Sequence, residues 1–198
     1  MKKTLLLAGV ATALFAMNAN AIEFKPYVGL DYVYSDAGMK DNLDEVYESK
    51  YDSFKLDFGT KFNKNFGLEV FYQQSGEEDK IHNNIDVLGD VVDAEISSKF
   101  KAYGVDAIGY LPLTDKLEGL GSIGFAKYDF EAEYNIIGYG KTTADEDNLG
   151  MRFGLGLQYN ITDTVAINGM ARYVKLDDSD EDAIEDITEF SVGARYTF

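Results

Sequence analysis

The stretch LGMRFGLGLQY, residues 149–159, alternates large apolar side chains with glycine or polar ones along its whole length. Successive side chains of an extended strand point to opposite faces, so this period of two predicts a β-strand. One face carries glycine, arginine and glutamine. The other face is wholly bulky and consists of Leu149, Met151, Phe153, Leu155, Leu157 and Tyr159. The stretch therefore predicts a strand with one bulky face and one small or polar face.

The same alternation recurs along the chain and is equally clear in residues 54–62. The eight strands that it predicts cover residues 24–34, 54–62, 66–74, 103–111, 117–128, 149–159, 165–176 and 187–198. Gly119, Gly121 and Gly124 interrupt the pattern in the fifth strand. The pattern therefore leaves open which face of that strand is apolar.

The bulky faces cannot all point into a closed barrel. Eight strands enclose an interior just wide enough to be filled by side chains, and glycine, serine, aspartate and arginine fit there better than one large apolar set per strand. A soluble sandwich or lipocalin-like barrel would need the opposite facing. We therefore predict an all-β fold, an eight-stranded antiparallel up-and-down transmembrane β-barrel whose apolar face meets lipid.

The connections between the predicted strands alternate between short and long. Residues 63–65, 112–116 and 160–164 form short connections, whereas the long ones are residues 36–52, 75–97, 129–147 and 177–186. Outer-membrane barrels have tight periplasmic turns and longer extracellular loops. An even number of strands would then place both ends of the barrel on the periplasmic side.

Aromatic residues mark both ends of the predicted apolar faces. Near the short turns these are Phe24, Phe62, Phe66, Tyr159 and Phe198, and near the long loops they are Tyr34, Phe54, Tyr72, Tyr103, Tyr173 and Phe190. About eight residues separate the two sets, which corresponds to roughly 20 Å of rise, close to the apolar band of such barrels. We predict two lipid-facing girdles. The alternative, ordinary aromatic residues of a soluble core, explains neither their end placement nor the alternating loops.

The N-terminus has the pattern of a secretory signal peptide. Lys2 and Lys3 precede an apolar run at residues 5–17, and Ala19 and Ala21 supply the small residues of a cleavage site. The apolar run is shorter than the roughly 20 residues of a spanning helix. The sequence predicts a signal peptide at residues 1–21, cleaved after Ala21, and an exported barrel domain at residues 22–198.

Composition excludes several functional classes. The chain has 35 acidic and 18 basic residues and a formal charge of -17, which disfavours nucleic acid as a partner because phosphates are bound mainly by lysine and arginine. The absence of cysteine excludes a disulfide scaffold and thiolate sites. We expect no cofactor.

Charged residues of both signs share the predicted inner face. They are Lys25, Asp31, Lys55, Asp57, Glu69, Asp106, Arg152, Arg172 and Arg195. Buried charges are tolerable only when they are paired, so these residues predict a salt-bridged lumen that blocks passage. The alternative is a gated pathway in which Arg152, Arg172 and Arg195 exchange partners among Asp57, Glu69 and Asp106.

The long loops are strongly acidic. They contain 26 of the 35 acidic residues and four lysines, so they would repel anions and concentrate cations. This predicts a solvated acidic surface, with a divalent-cation or cationic-ligand site as the alternative. Asp178, Asp180 and Asp182 are spaced like the start of a calcium loop, but Ala183 stands where such a loop needs glycine.

A catalytic arrangement is not evident from the sequence. His82 is the only histidine and lies in the second long connection, with Ser75, Ser97 and Ser98 nearby in sequence. A lipid hydrolase or acyltransferase could use such residues, but no nucleophile-elbow motif or metal-binding histidine pair is present. We predict that the protein is not an enzyme.

The last strand ends on Phe198 after an apolar face that includes Phe190, Val192 and Tyr196. Together with residues 25–29, KPYVG, and residues 103–110, YGVDAIGY, it resembles the outer-membrane β-barrel family of Gram-negative bacteria, the OmpA-like and porin-family small barrels. The resemblance covers residues 22–198. It implies the cell outer membrane as location, contact with outer-membrane lipids and lipopolysaccharide, and assembly by the barrel-assembly machinery through Phe198. It gives no expectation of the peptidoglycan-binding domain of full-length OmpA.

From the residues and the resemblance together we predict an integral outer-membrane barrel that displays acidic extracellular loops. Its expected role is structural, adhesive or surface-interacting within the cell envelope, because loops on a rigid scaffold carry function of this kind. The alternative is a narrow porin-like diffusion channel for small or cationic solutes.

Overall fold

The architecture was determined from a computed structural model that describes residues 24–39, 49–76, 78–87, 90–136, 140–177 and 184–198. Its strands are β1 (Lys25–Met39), β2 (Lys50–Lys61), β3 (Phe66–Ser75), β4 (Glu78–Val87), β5 (Asp90–Pro112), β6 (Leu117–Ile136), β7 (Gly140–Asn160), β8 (Val165–Leu176) and β9 (Ile184–Thr197). Within these ranges no helix is long and apolar enough to cross a membrane.

Eight of the strands form a closed antiparallel barrel, which confirms the predicted fold class. Neighbours in sequence pair throughout, β9 returns to pair with β1, and β3 pairs with the lower half of β5. Closure leaves the barrel portion without a sheet edge, so its backbone groups are paired within the wall. We call the two ends of this cylinder the short-turn end and the long-loop end.

β4 is the strand that does not belong to the closed barrel, and its presence corrects the prediction that residues 75–97 form a loop. β4 pairs with residues 90–98 of β5, above the region where β5 pairs with β3. The predicted loop at residues 129–147 is also corrected, because β6 continues as a paired strand to Ile136 and β7 begins at Gly140. These segments alternate less clearly in polarity than the membrane-facing ones, because water can solvate both faces of a sheet above the bilayer. The β-sheet therefore rises well beyond the closed barrel.

Each short turn is closed by a polar side chain of its own. The Asn63 side-chain oxygen accepts hydrogen bonds from the backbone N–H groups of Asn65 and Phe66. Thr114 and Thr162 do the same for the turns at residues 113–116 and 161–164. Side chains that satisfy the turn backbone in this way favour tight connections, and this explains why one end of the barrel is compact.

Side chains alternate between the lumen and the outer surface along every barrel strand. Leu155 on the outside is 74% exposed, whereas Arg152, three residues earlier in the same strand, is fully buried. The structure also decides the facing of β6: Leu120, Ala126 and Tyr128 point inward, and Ile123 points outward. The barrel thus has a continuous apolar outer wall and a packed interior.

Candidate functional site

The lumen contains two groups of buried ions at different heights. The lower ion cluster consists of Asp31, Lys55, Asp57, Glu69 and Arg195, and the upper ion cluster consists of Asp106, Arg152, Arg172 and Glu189. None of their side chains is more than 3% exposed. They come from seven strands, so the register of the closed barrel brings them together.

Lys55 lies at the centre of the lower ion cluster. Its Nζ atom is 2.8 Å from an Asp31 oxygen, 3.1 Å from Glu69 and 3.4 Å from Asp57. Arg195 binds the other Glu69 oxygen at 2.5 Å, and the Tyr27 hydroxyl donates a hydrogen bond of 3.0 Å to the same carboxylate. Glu69 is therefore held by three donors, the pairing that makes a buried carboxylate tolerable.

The upper ion cluster is more loosely connected. Arg152 binds Glu189 at 3.1 Å, whereas its Nε atom is 3.8 Å from Asp106. Arg172 is 3.9 Å from Asp106 and donates a hydrogen bond of 3.1 Å to the Ser191 hydroxyl. The Arg152 guanidinium also stacks on the Phe71 ring, 3.9 Å from its centroid. Both arginines contact Asp106 as ion pairs without hydrogen-bond geometry, so this carboxylate is the least constrained member of the upper ion cluster.

An apolar layer closes the interior above the ions. Its aromatic cap consists of Tyr51, Phe100, Tyr128 and Phe130, with ring centroids of successive contacts 5.4–6.3 Å apart. The rest of this layer consists of Phe71 from β3 and of aliphatic or small residues from β1, β5, β6, β8 and β9, namely Ala37, Ala102, Ala126, Val174, Leu176, Ile184 and Ile187. Side chains from nearly every wall strand thus meet at the long-loop end, and burial of this much apolar surface stabilises the closed state.

The short-turn end has a different character, because a polar cavity of about 380 Å³ opens there. Lys61 reaches across from β2 to Glu118 on β6 at 2.8 Å, and its Nζ atom lies 3.9 Å from the centroid of the Tyr110 ring. Gln158 donates a hydrogen bond to Glu118 and accepts one from Arg195. The cavity therefore ends on the lower ion cluster.

The six charged residues predicted as exchange partners in the lumen are all buried inside the barrel. Asp57, Glu69 and Arg195 belong to the lower ion cluster, and Asp106, Arg152 and Arg172 to the upper one. Asp31 and Lys55 join them, whereas Lys25 does not: it is exposed and lines the cavity at the short-turn end. Lys25 stands at the first position of β1, too close to the barrel end to be enclosed.

Sequence reasoning missed two parts of the lumen. Glu189 is the principal partner of Arg152, although it is not among the charged residues predicted for the inner face. Phe190 and Val192 face outward in the same strand, so parity alone places Glu189 inward. The aromatic cap was missed because an inner face was expected to be small or polar throughout. The signal lies in residues 99–103: because Tyr103 is predicted to face outward, parity carried back along the strand places Lys101 and Lys99 outward and Phe100 inward.

The girdle residues all lie on the outer surface of the barrel. Phe24, Phe54, Tyr72, Tyr103, Tyr159, Tyr173, Phe190 and Phe198 are exposed, and Tyr34, Phe62 and Phe66 are partly exposed. Phe24 packs edge-on against Phe62 at the short-turn end, with ring centroids 5.8 Å apart. An outer wall this apolar is stable only in contact with lipid or a partner.

Two of the three serines considered for catalysis, Ser75 and Ser98, have structural partners. The Ser75 hydroxyl accepts a hydrogen bond from the Phe100 N–H at 2.8 Å and donates one to the Gly76 carbonyl. The Tyr51 hydroxyl donates to Ser98 at 3.3 Å. His82 belongs to β4, and Asp178, Asp180 and Asp182 lie outside the described residues, as does the predicted signal peptide. No catalytic triad is therefore assembled among the described side chains.

The closed antiparallel ladder, the apolar outer wall and the ion-paired interior define an integral membrane β-barrel. The chain belongs to the outer membrane protein β-barrel domain family, whose model matches residues 5–198, and this confirms the family resemblance and the outer-membrane location. An uncharacterized protein of Haemophilus influenzae is 32% identical over 151 residues, which cover 73% of this chain and 79% of that protein.

Solved structures share the fold. The attachment invasion locus protein Ail of Yersinia pestis is 19% identical with a TM-score of 0.58, and the match covers 89% of this chain and 99% of Ail. Neisserial surface protein A is 17% identical with a TM-score of 0.61, covering 87% and 97% of the two chains. At these identities the similarity concerns the barrel fold alone.

Proposed function

We propose that this outer-membrane barrel is a closed scaffold that holds acidic loops at the cell surface for adhesion or another surface interaction. It is neither an enzyme nor an open pore. The observation that carries this proposal is the filling of the lumen: the polar cavity ends on the lower ion cluster, and the aromatic cap lies beyond the upper one. Solutes entering at the short-turn end meet buried ion pairs and then an apolar core.

Acidic side chains on the rising part of the sheet support a display role. Asp145 and Asp147 on β7 are exposed, and Asp129, Glu131 and Glu133 on β6 are partly exposed beside them. Lys127 is paired with both Asp129 and Asp147, and Lys99 with Glu131, so a single lysine is shared by two of these carboxylates. This surface favours cationic ligands or divalent cations.

Charge separates this chain from one structural relative. Ail has been crystallised with the heparin analogue sucrose octasulfate, a polyanion. The acidic surface described above would repel such a ligand, so we do not extend heparin binding to this protein. We propose instead a cationic partner, such as a basic peptide segment or an amine-rich surface.

Adhesion of cells that express the protein tests this role. Cells should adhere to a polylysine surface more than to a heparin surface. A variant with Asp129, Glu131, Asp145 and Asp147 changed to Asn or Gln should lose most of that preference. A heat-modifiable gel shift of extracted barrel would control for equal assembly. Equal adhesion by the variant would contradict the proposal.

The second candidate is a narrow channel for small or cationic solutes. The open cavity at the short-turn end favours it, because a rearrangement of ion pairs and cap could extend the cavity through the lumen. Planar bilayers decide between the two. We expect no conductance, whereas discrete openings abolished by Arg152→Met would establish a channel.

Unchanged lipid A and phospholipids on expression, with or without His82→Ala, would exclude a lipid-modifying enzyme.

Further partners follow from the outer wall. We propose contact of the girdles with outer-membrane lipids and lipopolysaccharide, and export by a signal peptide cleaved after Ala21. The outward face of β9 presents Phe190, Val192, Tyr196 and, just after the strand, Phe198, a pattern suited to recognition by the barrel-assembly machinery. Deletion of Phe198 should slow assembly in cells while leaving refolding into detergent intact.

A further inference from the structure

The upper part of β7 rises above the barrel, and among the described residues no strand pairs with its β8 side. β7 pairs with β6 along residues 140–159, but with β8 only from Gly150 to Asn160. Among the backbone bonds of the described residues, the one from the Asp177 N–H to the Leu149 carbonyl is the last on the β8 side. Within the described ranges, no strand pairs with this side of residues 140–148. An unpaired edge of this length is a template for another strand.

The direction of its backbone groups is fixed by that last bond. Because the Leu149 carbonyl points towards β8, the N–H and C=O groups of Asp147, Asp145, Thr143 and Lys141 point the same way, and those of the residues between them face β6. Four alternate residues therefore offer a ladder of donors and acceptors. This is the arrangement that an extended peptide uses when it adds to a sheet.

The side chains beside the edge decide which strand could dock. Asp145 and Asp147 are exposed on the outward face, Glu146 is partly buried on the inner face, and Asp177 is exposed at the lower end of the edge. Opposite charges on directly paired residues stabilise a strand pair, and like charges destabilise it. A second copy of this chain would bring Asp145 and Asp147 against their own equivalents, so self-pairing is disfavoured.

We propose that the edge at residues 141–147 binds an extended basic segment of a partner protein by β-strand addition. Backbone hydrogen bonds would provide register, and lysine or arginine at alternate positions would lie opposite Asp145 and Asp147. This inference rests on the proposed surface-interaction function and names the class of partner and the surface that it uses.

Peptide binding to the barrel in nanodiscs tests the proposal. The probe is a nine-residue peptide that alternates lysine with valine, and the control peptide has glutamate in place of lysine. We expect the lysine peptide to bind about tenfold more tightly, because two or more cross-strand pairs contribute. It should also protect the amides of Thr143, Asp145 and Asp147 from hydrogen exchange.

Thr143→Pro separates edge pairing from charge attraction. Proline removes the Thr143 N–H, which points away from β6, so the hydrogen bonds between β6 and β7 are kept. The docked peptide loses one backbone hydrogen bond and clashes with the proline ring. Binding should be lost with an unchanged heat-modifiable gel shift. Thr142→Ala, whose backbone faces β6, is the matched control and should bind normally. Charge reversal with Asp145→Lys and Asp147→Lys should shift preference to the glutamate peptide.

Two results would overturn the proposal: equal binding of the lysine peptide to Thr143→Pro, or binding without amide protection along residues 143–147. Either would mean that the acidic side chains attract cations without strand addition. If cells still adhere to polylysine while the peptide fails to bind the edge, the strand-addition proposal fails and the display function stands. If adhesion itself is absent, the display function fails.

Discussion

Three lumen aspartates lie directly against glycines of neighbouring strands. Asp57 packs on Gly29, Asp31 on Gly193 and Asp106 on Gly124, so a Cβ atom on any of these glycines would overlap a carboxylate. Glycine is needed there because the carboxylate occupies the space of the missing side chain. Gly121 on the outer wall differs, because a Cβ atom there would meet nothing within 4 Å.

This contrast predicts opposite effects of alanine at two glycines. Gly193→Ala should destabilise the barrel by about 1–3 kcal/mol, since it displaces Asp31 from the lower ion cluster. Gly121→Ala should leave stability unchanged or raise it slightly. Urea unfolding in lipid vesicles measures both. A cost at Gly121 equal to that at Gly193 would show that the aspartate contact is not the cause.

The Arg152–Glu189 pair gives a second prediction at this scale. Glu189→Ala removes the closer of the two carboxylates beside Arg152 and leaves Asp106 at 3.8 Å, so we expect a loss of about 3–5 kcal/mol in unfolding free energy. The double variant Arg152→Met with Glu189→Gln removes both charges and should recover much of this loss. If the double variant is as unstable as the single one, packing rather than the unpaired charge sets the cost.

At the scale of the strand, alternation gives neighbouring positions opposite surroundings. In β7, Leu155 faces outward near the middle of the apolar wall, whereas Gln158 faces inward beside Glu118. A charge at the outer position must enter hydrocarbon, whereas a charge at the inner position finds a carboxylate partner. The two sites are only three residues apart, so differences in local strand propensity are small.

Leu155→Arg should therefore cost about 2–4 kcal/mol, and Gln158→Lys considerably less, in equilibrium unfolding from lipid vesicles. The second variant is the control for introducing a cation into β7. Equal costs at the two sites would contradict the facing of this strand.

At the scale of the whole molecule, the distribution of apolar surface is inverted relative to a soluble barrel. The chain contains no tryptophan, so a single introduced tryptophan reports on its own surroundings. Phe153→Trp should be strongly quenched by lipids with brominated acyl chains. Phe100→Trp, inside the aromatic cap, should be quenched much less. Similar quenching at both positions would contradict an inside that is shielded from lipid.

The sequence determined the fold class, the outward apolar face and the position of the short turns. It could do so because strand alternation is local: in residues 54–62, each residue's face is set by its parity, whatever the strand pairs with. Turn formation is local too, as the bonds of Asn63 to its own turn show. Lumen membership followed from the same parity rule for Asp57, Glu69, Asp106, Arg152, Arg172 and Arg195.

Tertiary structure alone decided which lumen residues meet. Arg152 pairs with Glu189, 37 residues away, and Lys55 joins Asp31 and Glu69, because the shear of the closed barrel sets the height of each strand against strands that are not its sequence neighbours. The aromatic cap and the extension of β6 to Ile136 and of β7 from Gly140 depend on the same offsets, as does the lack of a paired strand beside residues 140–148 within the described ranges. Parity assigns a side chain to a face, but only the closed ladder assigns it a height and a partner.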